Sequence, residues 1–267
     1  MSSVTKTLEL LSHFSAIRPE IGLSQMCRIA KRDKATTYRH LQSLESAGFI
    51  EQNPVTKLYR LGPALLQLAQ IREATVPRKQ GALAGLSRLA NATGETAHAS
   101  VLSGTTLYSL VSCDSPMHGT RAIIDIATLP LHATASGICA LAFGPPALAE
   151  TAVANLERFT DATVTTPADL DALVETARKT GFARADQSFE AEIQGISAPI
   201  FDQTENFAGA VSVACVASRF TPELENIIKA ELAIASREIS RNWGGCVPDH
   251  IETHWTRTRT SALDITP

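Results

Sequence analysis

Residues 23–62 read LSQMCRIAKRDKATTYRHLQSLESAGFIEQNPVTKLYRLG and decide the fold of the first part of the chain. Apolar residues recur at helical spacing in QMCRIAK and again in ATTYRHLQSL, with only the short charged segment RDK between the two runs. Gly48 ends the second run as a helix C-cap. Residues 49–52 and 57–61 then predict two short β segments around an Asn-Pro turn. Together with a helical run at about residues 5–16, this order predicts a winged helix-turn-helix.

A winged helix-turn-helix places the second helix of its pair in the major groove of DNA. Arginine pairs with guanine through two hydrogen bonds and glutamine with adenine, whereas lysine and hydroxyl groups suit phosphates. The outward positions of the second helix of the pair carry these residue types. The N-cap position of the first helix of the pair and the β segments of the wing carry them as well. The predicted DNA-binding residues are Ser24, Lys34, Ala35, Thr36, Tyr38, Arg39, Gln42, Lys57 and Arg60. His40 borders the buried face and is predicted to pack inside. The alternative is a small helical bundle whose exposed face is polar.

The charge is unevenly distributed along the chain. The whole sequence holds 24 Lys and Arg against 27 Asp and Glu, a net charge of −3. Residues 1–62 hold nine basic and five acidic side chains, or +4, so the rest hold 15 and 22, or −7. A basic segment joined to an acidic body favours an anion-binding head on a separate regulatory or catalytic domain. Alternatively, the net positive charge of residues 1–62 belongs to an ordinary solvent-exposed surface.

The composition indicates a globular protein of one large or two ordinary domains, with 267 residues and 44% hydrophobic side chains. No run of 18 apolar residues occurs, so we expect no membrane span. The first residues lack the pattern of a secretory signal peptide. The five cysteines, at positions 27, 113, 139, 215 and 246, are scattered and form no C-x-x-C pair. These features predict a cytoplasmic protein with reduced thiols and no structural zinc.

Residues 63–80 predict a linker helix that dimerises. Pro63 suits the first turn of a helix, and Pro77 breaks the pattern before a further helix that ends near Gly94. The apolar residues of the linker leave few polar faces, so this helix should bury more than one side. A contact between two copies of the chain would satisfy that need. The alternative is a helix that lies on its own domain.

Residues 81–243 predict a second domain. The segments ETAHASVLSG, TTLYSLVSC, RAIIDI, GISAPIFD and FAGAVSVACV are rich in β-branched residues and read as strands. A final amphipathic helix starts at Thr221 as its N-cap, with Pro222 in the first position. The pattern is that of an α+β domain, a mixed sheet flanked by helices. Residues 244–267 are polar and predict a loose tail.

The chain resembles the IclR family of bacterial transcriptional regulators over about residues 5–242. Four stretches in the right order carry the resemblance: LSQMCRIAKRDKATTYRHLQSLESAGFIE, YRLG, LPLHATASGICALAF and GFARADQSFEAEIQGISAPIFD followed by GAVSVA. The resemblance implies an N-terminal winged helix at 1–62, a dimerising linker helix and a GAF/PAS-like effector domain with a mainly antiparallel sheet. It also implies a homodimer or a dimer of dimers on pseudo-palindromic operator DNA. Small acids and aromatic catabolites are the usual effectors.

Some positions depart from the family pattern. Lys31-Arg32 fill the turn between the DNA-binding helices where Gly-Leu is usual, and His40 replaces a frequent leucine. A run of acids is reduced to Asp186. Gly195 stands where a cysteine is frequent, and Ala214 replaces the second of two serines.

The stretch LPLHATASG at 129–137 is the predicted edge of the effector pocket. Its small residues precede a helix that Thr134 or Ser136 can cap, and free amides at a helix start bind anions. We predict that the amides of Ala135 and Ser136 hold the acid group of the effector. The other predicted effector-binding residues are Leu129, His132, Asp186, Phe189, Ile193, Gly195 and Ser212. Of these, Asp186 and Ser212 should reach the hydroxyl or keto end, and His132 should fix the loop. Alternatively, the small residues only let the helix pack closely on the sheet.

An enzyme is the competing interpretation. His132, Ser136 and Cys139 invite comparison with a hydrolase, but the nucleophile turn G-x-S-x-G is missing and no base–acid set is visible. His98, His118 and His132 could form a metal site, although their spacing matches no zinc pattern. The sequence therefore predicts a transcriptional regulator, a repressor, with no catalytic residue, metal or cofactor. A binding protein or hydrolytic enzyme with an incidental N-terminal helical domain stays as the alternative.

Overall fold

The computed structural model describes residues 2–15 and 17–263, with side chains described as far as residue 258. The chain divides into two compact units, Met1–Val76 and Pro77–Pro267. Each unit has its own hydrophobic core. Within the described ranges, no helix is long and apolar enough to cross a membrane.

The first unit is a winged helix-turn-helix, as predicted. Its helices are α1 (Ser3–Leu8), a 3-10 helix (Glu9–His13), α2 (Leu23–Ala30), α3 (Lys34–Ser46) and α4 (Pro63–Thr75). Its strands are β1 (Glu20–Ile21), β2 (Ile50–Gln52) and β3 (Tyr59–Leu61), which pair antiparallel in the order β1-β3-β2. The predicted helix at 5–16 is thus a short α-helix continued by a 3-10 turn. The sequence does not predict strand β1, because a strand of two residues is too short to show alternation of apolar and polar side chains.

Helix α3 buries one face and exposes the other. Thr37, Leu41 and Leu44 are buried, as the helical spacing predicts, and His40 joins them with 4% of its surface exposed. The core of this unit consists of Leu10, Phe14, Ile21, Met26, Leu41, Leu44, Ile50 and Tyr59. His40 is therefore a packed side chain and cannot read a base edge in this position.

Side chains and a glycine define the ends of α3. The Asp33 carboxylate caps the start and accepts a hydrogen bond from the Thr36 amide at 2.8 Å. Gly48 follows the last turn in the left-handed region at φ +74°, which favours glycine. Its amide donates to the carbonyl of Glu45 at 2.9 Å and closes the helix. The predicted C-terminal glycine is confirmed.

Helix α2 begins earlier than the sequence predicts. The sequence predicts Ser24 as its N-cap, but the helix starts at Leu23 and the N-cap is Gly22. The Gly22 carbonyl accepts from the Met26 amide at 2.9 Å, so the helical ladder already includes this residue. Ser24 instead lies exposed in the first turn.

The turn between α2 and α3 holds two basic residues in different roles. Lys31 lies in the left-handed region at φ +52°, the conformation for which glycine is preferred. The Arg32 guanidinium donates at 2.5 Å to the carbonyl of Lys6 in α1 and to the carboxylate of Glu9 in the 3-10 helix that follows. The positive charge of Arg32 is therefore paired with Glu9 of the same unit.

Helix α4 starts at Pro63 and has no buried residue within its own unit. Leu66, Leu68 and Ile71 are each more than half exposed. The burial expected of this helix therefore needs another surface. The helix ends at Thr75, and the next helix starts at Arg78 in the second unit, so the predicted linker range 63–80 spans two elements and the boundary between the units.

The second unit is an α+β domain built on an antiparallel sheet, as expected for the resembled fold. The strands are β4 (Thr96–Ser103), β5 (Thr106–Cys113), β6 (Ala183–Asp186), β7 (Ile193–Phe201) and β8 (Phe207–Val216), in the order β5-β4-β8-β7-β6. The helices are α5 (Arg78–Thr93), α6 (Ala135–Phe143), α7 (Ala147–Val153), α8 (Pro167–Thr180), a 3-10 helix (Ala217–Arg219), α9 (Pro222–Asn242) and α10 (Asp249–Leu263). Helices α5 and α9 pack on one face of the sheet, and α6 packs on the other. Thr221 caps α9 as predicted.

The segment RAIIDI does not form the predicted strand. Residues 121–126 adopt no regular secondary structure, and Thr128 beyond them forms an isolated bridge with Tyr108. Side chains donate hydrogen bonds to backbone carbonyls of this part of the chain. The Thr96 hydroxyl donates to the Ala122 carbonyl at 2.8 Å, and Arg219 donates to the Thr120 carbonyl at 3.1 Å.

The loose tail predicted at residues 244–267 is largely a helix, and residues 264–267 of that prediction lie outside the described residues. Residues Asp249–Leu263 form α10, in which Ile251 and Trp255 are 1% exposed. The Trp255 indole stacks on Phe182 and donates to the Gly181 carbonyl at 2.8 Å. One buried apolar face is enough to fix a helix whose other residues are polar.

Candidate functional site

The outer face of α3 presents most of the predicted DNA-binding residues. Lys34, Ala35, Tyr38, Arg39 and Gln42 are exposed there. Thr36 is half-buried on the same helix. The Gln42 amide donates to the Tyr38 hydroxyl at 3.2 Å, which orders one turn of this face. The arrangement leaves the Arg39 guanidinium and the Lys34 ammonium at the surface, as groove and phosphate contacts require.

The two predicted wing residues differ in their surroundings. Lys57 lies in the turn between β2 and β3 at φ +60°, with its side chain exposed. Arg60 lies on β3 directly opposite Glu51, and its Nε donates to that carboxylate at 2.6 Å. A phosphate contact by Arg60 would therefore have to compete with Glu51.

The second unit contains a small cavity of about 80 Å³ between the start of α6, the sheet and the segment that follows β5. Seven of the nine predicted effector-binding residues line it: Leu129, Ala135, Ser136, Phe189, Ile193, Gly195 and Ser212. The sequence did not identify the remaining walls, which include His98, Ala122, Ile123, Ile124, Ile126, Ser188 and Glu190. Glu190 is the one charged residue among the lining residues. No lysine or arginine lines the cavity within the described part of the chain.

The start of α6 leaves two amides free at this cavity. The Thr134 side chain caps the helix by accepting from the Gly137 amide at 3.0 Å. The Thr134 carbonyl accepts from the Ile138 amide at 2.9 Å. The amides of Ala135 and Ser136 donate to no group in the described residues. Free amides at a helix start, together with the positive end of the helix dipole, are the groups that an anion would need.

Two glycines allow α6 to begin at this place. A Cβ atom on Gly137 would overlap the Pro130 carbonyl and the Leu131 backbone. A Cβ atom on Gly195 would lie 3.2 Å from the Cβ of Ala135, tighter than an ordinary contact. Close packing therefore explains part of the small-residue run, in line with the alternative interpretation.

A row of polar side chains crosses the sheet beneath these amides. His98 on β4 pairs with Ser212 on β8, and Ser212 pairs with Ser197 on β7. Directly paired residues share one face of a sheet. Ser136 from α6 contacts this row: its Oγ lies 3.2 Å from His98 Nε2 and 2.7 Å from Ser212 Oγ. Ser212 Oγ lies 2.8 Å from Ser197 Oγ. All four side chains are buried.

The Ser197 hydroxyl lies within hydrogen-bond distance of two acceptors, the Val211 carbonyl at 3.2 Å and Ser212 Oγ at 2.8 Å. The hydroxyls of the row can therefore donate in either direction along it. The Nδ1 atom of His98 is buried and has no hydrogen-bond partner among the described residues.

Burial also fixes the charge of His98. Loss of water around the ring lowers the pKa of His98 from its ordinary 6.5 to about 4. The imidazole is therefore neutral near pH 7. No cationic side chain is among the described residues that line the cavity.

Two predicted effector-binding residues do not line the cavity. Asp186 is exposed, and its carboxylate accepts from Arg184 at 2.6 and 2.8 Å. Successive strand residues point to opposite faces, so Ala185 faces the cavity and Asp186 cannot. His132 donates from Nε2 to the Glu157 carbonyl at 2.8 Å on the far side of the loop. This contact is the loop-fixing bond predicted for His132, but it lies outside the cavity.

The residues that suggested a metal site or a nucleophile are separated. His98 contacts Ser136, His118 lies 3.6 Å from the Glu95 carboxylate, and His132 binds Glu157. Among the described residues, no three His, Cys, Asp or Glu side chains lie close enough together to hold a metal ion. Cys139 is fully buried, and burial raises the pKa of its thiol far above the ordinary value.

Comparison with known proteins agrees with this arrangement. A family model described as the IclR helix-turn-helix domain matches residues 3–54, and one described as the bacterial transcriptional regulator IclR C-terminal domain matches residues 76–241. The glycerol operon regulatory protein of Streptomyces coelicolor is 28% identical over 90% of this chain and 94% of its own length. The transcriptional repressor IclR of Escherichia coli is 25% identical over 92% and 91%.

Solved structures show the same fold. An IclR transcriptional regulator from Silicibacter sp. TM1040 superposes with a TM-score of 0.87 at 38% identity, over 93% of this chain and 99% of that chain. An IclR homologue from Microbacterium hydrocarbonoxydans, crystallised with 4-hydroxybenzoate, superposes with a TM-score of 0.74 at 24% identity, over 91% and 99%.

Proposed function

The chain belongs to the IclR family of bacterial transcriptional regulators, and we propose that a small monocarboxylate bound in the cavity of its second unit controls operator binding. The observation that carries this proposal is the pair of free amides of Ala135 and Ser136 at a cavity without cationic side chains. A carboxylate there would satisfy both donors and meet the positive end of α6. The one charged wall residue, Glu190, would repel a second carboxylate.

The residues that line the cavity indicate the chemistry of the rest of the effector molecule. Leu129, Phe189 and Ile193 are apolar, and the irregular segment after β5 adds three isoleucines. Such walls favour a compact hydrocarbon or aromatic body. The 4-hydroxybenzoate in the Microbacterium structure has this chemistry and belongs in a first ligand screen.

DNA recognition is assigned to the outer face of α3. We propose that Arg39 and Gln42 contact base edges, and that Lys34, Thr36 and Lys57 contact phosphates. Ala35 and Tyr38 lie between them and complete the surface. Ser24 at the start of α2 would add a further backbone contact, and Arg60 would contribute after releasing Glu51.

The proposed assembly is a homodimer formed through α4. Its exposed Leu66, Leu68 and Ile71 need a partner surface, and a second copy supplies one. A two-fold dimer would present two winged helices to a pseudo-palindromic operator. Association of two such dimers is the proposed larger state. We propose that the protein is a repressor, which releases its operator when it binds the effector. We expect it to act in the cytoplasm, where the DNA lies.

We further propose that the protein is not an enzyme. The pair of Ser136 and His98 is within hydrogen-bond distance, which is the geometry of a nucleophile and its base. However, a catalytic base also needs an orienting partner and a suitable pKa. No described residue orients Nδ1, and a pKa of about 4 makes the ring a weak base. The protein should therefore not turn over an ester such as p-nitrophenyl acetate above the rate of the variant Ser136→Ala.

The test combines ligand binding with DNA binding. Thermal melting in the presence of small monocarboxylates identifies ligands, because a ligand of the folded state raises its melting temperature. Fluorescence anisotropy on the DNA upstream of the coding sequence then follows operator release. Ile124→Trp fills the cavity from an irregular segment and should abolish both ligand responses while leaving DNA binding intact. Ser87→Trp, on the exposed face of α5, is the matched control. An unchanged ligand response in Ile124→Trp would refute the cavity as the effector site.

A further inference from the structure

We infer that residues 114–126 form a lid over the effector cavity, and that the ion pair between Arg219 and Glu95 is the anchor that holds this lid closed. The inference rests on the proposed function, since it concerns how a small molecule reaches the same cavity. It gives a role to a buried ion pair that the proposed function does not use.

The first support is the size of the cavity. Its volume is about 80 Å³, whereas sites for small molecules commonly measure roughly 300–1,000 Å³. A wall must therefore move to admit a ligand. The walls that α6 and the strands supply belong to the hydrophobic core of the unit, which is close-packed and resists displacement. The movement is therefore expected in an irregular segment.

The second support is the weak attachment of the lid. Among the described residues, no backbone–backbone hydrogen bond joins residues 114–126 to the rest of the unit. The other irregular wall, residues 187–190, does have such bonds, for example from the Gln187 amide to the Ile193 carbonyl at 2.9 Å. Ile123 is 65% exposed although it lines the cavity, so the lid is a thin wall between the cavity and solvent. The residues of the lid that line the cavity are Ala122, Ile123, Ile124 and Ile126.

Side chains tie the lid to the unit at one place, residues 94–96 before and at the start of β4. The Thr96 hydroxyl donates to the Ala122 carbonyl at 2.8 Å. The Ser115 hydroxyl donates to the Gly94 carbonyl at 2.5 Å. Because these attachments converge, loss of a few hydrogen bonds at this place would free the whole lid.

Arg219 completes the attachment from the far end of β8. Its guanidinium donates two hydrogen bonds at 2.6 Å to the Glu95 carboxylate and one at 3.1 Å to the Thr120 carbonyl of the lid. Glu95 is 1% exposed, and His118 of the lid lies 3.6 Å from it. A bidentate contact with a carboxylate fixes the plane of the guanidinium. The lid is therefore held by a side chain that is itself held in position by a buried charge.

Alkylation of a thiol beneath the lid measures opening without any effector. Ala122 is buried and lines the cavity, so Ala122→Cys places a thiol there. Cys139 on α6 is fully buried in the core and reports unfolding of the whole unit. N-ethylmaleimide is the probe, and mass spectrometry of the two peptides from the full chain gives both rates. The measured quantity is the labelling rate at position 122 divided by that of Cys139.

The anchor is tested with a matched control, both in the Ala122→Cys background. Arg219→Gln removes the bidentate pair and the contact with Thr120, so it should raise the ratio of the rates at least about 10-fold. Arg237 forms an equivalent bidentate pair with Glu252 at 2.6 Å between α9 and α10. Arg237→Gln should leave the ratio unchanged, because this pair does not contact the lid.

Thr96→Val decides the question if Arg219→Gln, which leaves Glu95 buried without its arginine, does not fold. It removes the hydroxyl that holds the Ala122 carbonyl and introduces no unpaired charge, so it should raise the ratio about 5-fold. An unchanged ratio in a variant that folds, or a parallel rise at both thiols, overturns the lid and leaves the proposed function standing. The labelling needs no effector, so failure to find any monocarboxylate ligand would overturn the proposed function while the ratio still decides the lid.

Discussion

His98 Nε2 on strand β4 lies 3.2 Å from Ser136 Oγ at the start of α6. This contact joins the sheet to the start of α6, where we propose that an anion binds. The contact is buried, so removal of Ser136 would leave His98 Nε2 without a partner, whereas Ser136 would keep its contact with Ser212 if His98 were removed.

The burial of His98 makes the stability of the second unit dependent on pH. The folded pKa of about 4 lies below the ordinary value of 6.5, so the unfolded chain binds the proton more readily. The stability contribution is complete above pH 6.5 and is lost as the pH falls toward 4. The loss should be on the order of 3 kcal/mol. Urea unfolding of wild type and His98→Gln at pH 7.5 and pH 4.5 measures it. The variant should lose less stability than wild type over this interval, and equal losses would contradict the assignment.

DNA binding should respond differently to two substitutions on α3. Arg39→Ala should weaken specific binding by about 1–3 kcal/mol and reduce discrimination between operator variants, because a bidentate base contact is lost. Lys34→Ala should weaken binding to all sequences and lower the slope of log K against log salt by about 1. Fluorescence anisotropy over a range of salt concentrations gives both quantities. Lys179→Ala, exposed on α8 in the other unit, should change neither. Loss of affinity without loss of discrimination in Arg39→Ala would reassign that residue to phosphate contacts.

Helix α10 should be a structural part of the second unit. Trp255→Ala removes a side chain that is 1% exposed, its stacking on Phe182 and its bond to Gly181. The expected cost is about 3–5 kcal/mol of unfolding free energy. Thr253→Ala, on the exposed side of the same helix, should cost less than about 0.5 kcal/mol. Urea denaturation compares the two variants. A small effect of Trp255→Ala would mean that α10 does not remain packed in solution.

The turn between α2 and α3 should be open to stabilisation. Lys31 has a left-handed backbone at φ +52°, which costs an ordinary residue about 1 kcal/mol and glycine nearly nothing. Lys31→Gly should therefore raise the unfolding free energy of the first unit by roughly 0.5–1 kcal/mol, since part of the gain is offset by backbone entropy. Lys31→Ala removes the same charge without relieving the backbone and should give no gain. Calorimetric melting of the two variants distinguishes them, and equal stability would show that charge, not backbone, sets the cost.

Much of the architecture could be predicted from the sequence because it depends on local patterns. The helix-turn-helix follows from apolar spacing, and Gly48, Thr134 and Thr221 mark helix ends through their own backbone or hydroxyl chemistry. Seven of the nine predicted cavity residues line the cavity for the same reason, since most lie near one helix start or on regular strands. Local signals failed for Ser24, where a glycine one residue before the helix took the capping position.

The tertiary structure alone decided the rest, because it depends on strand register and on packing between distant segments. Asp186 faces away from the cavity through the alternation of β6, which no sequence signal identified as a strand. Residues 249–263 form helix α10 because Trp255 is buried against Gly181 and Phe182, which are distant in sequence. His98 and Ser136 are 38 positions apart in sequence, and only the pairing of β4 with β8 beneath α6 brings their side chains together. The sequence by itself determined the family and its two-unit plan, whereas register determined which polar groups share the cavity.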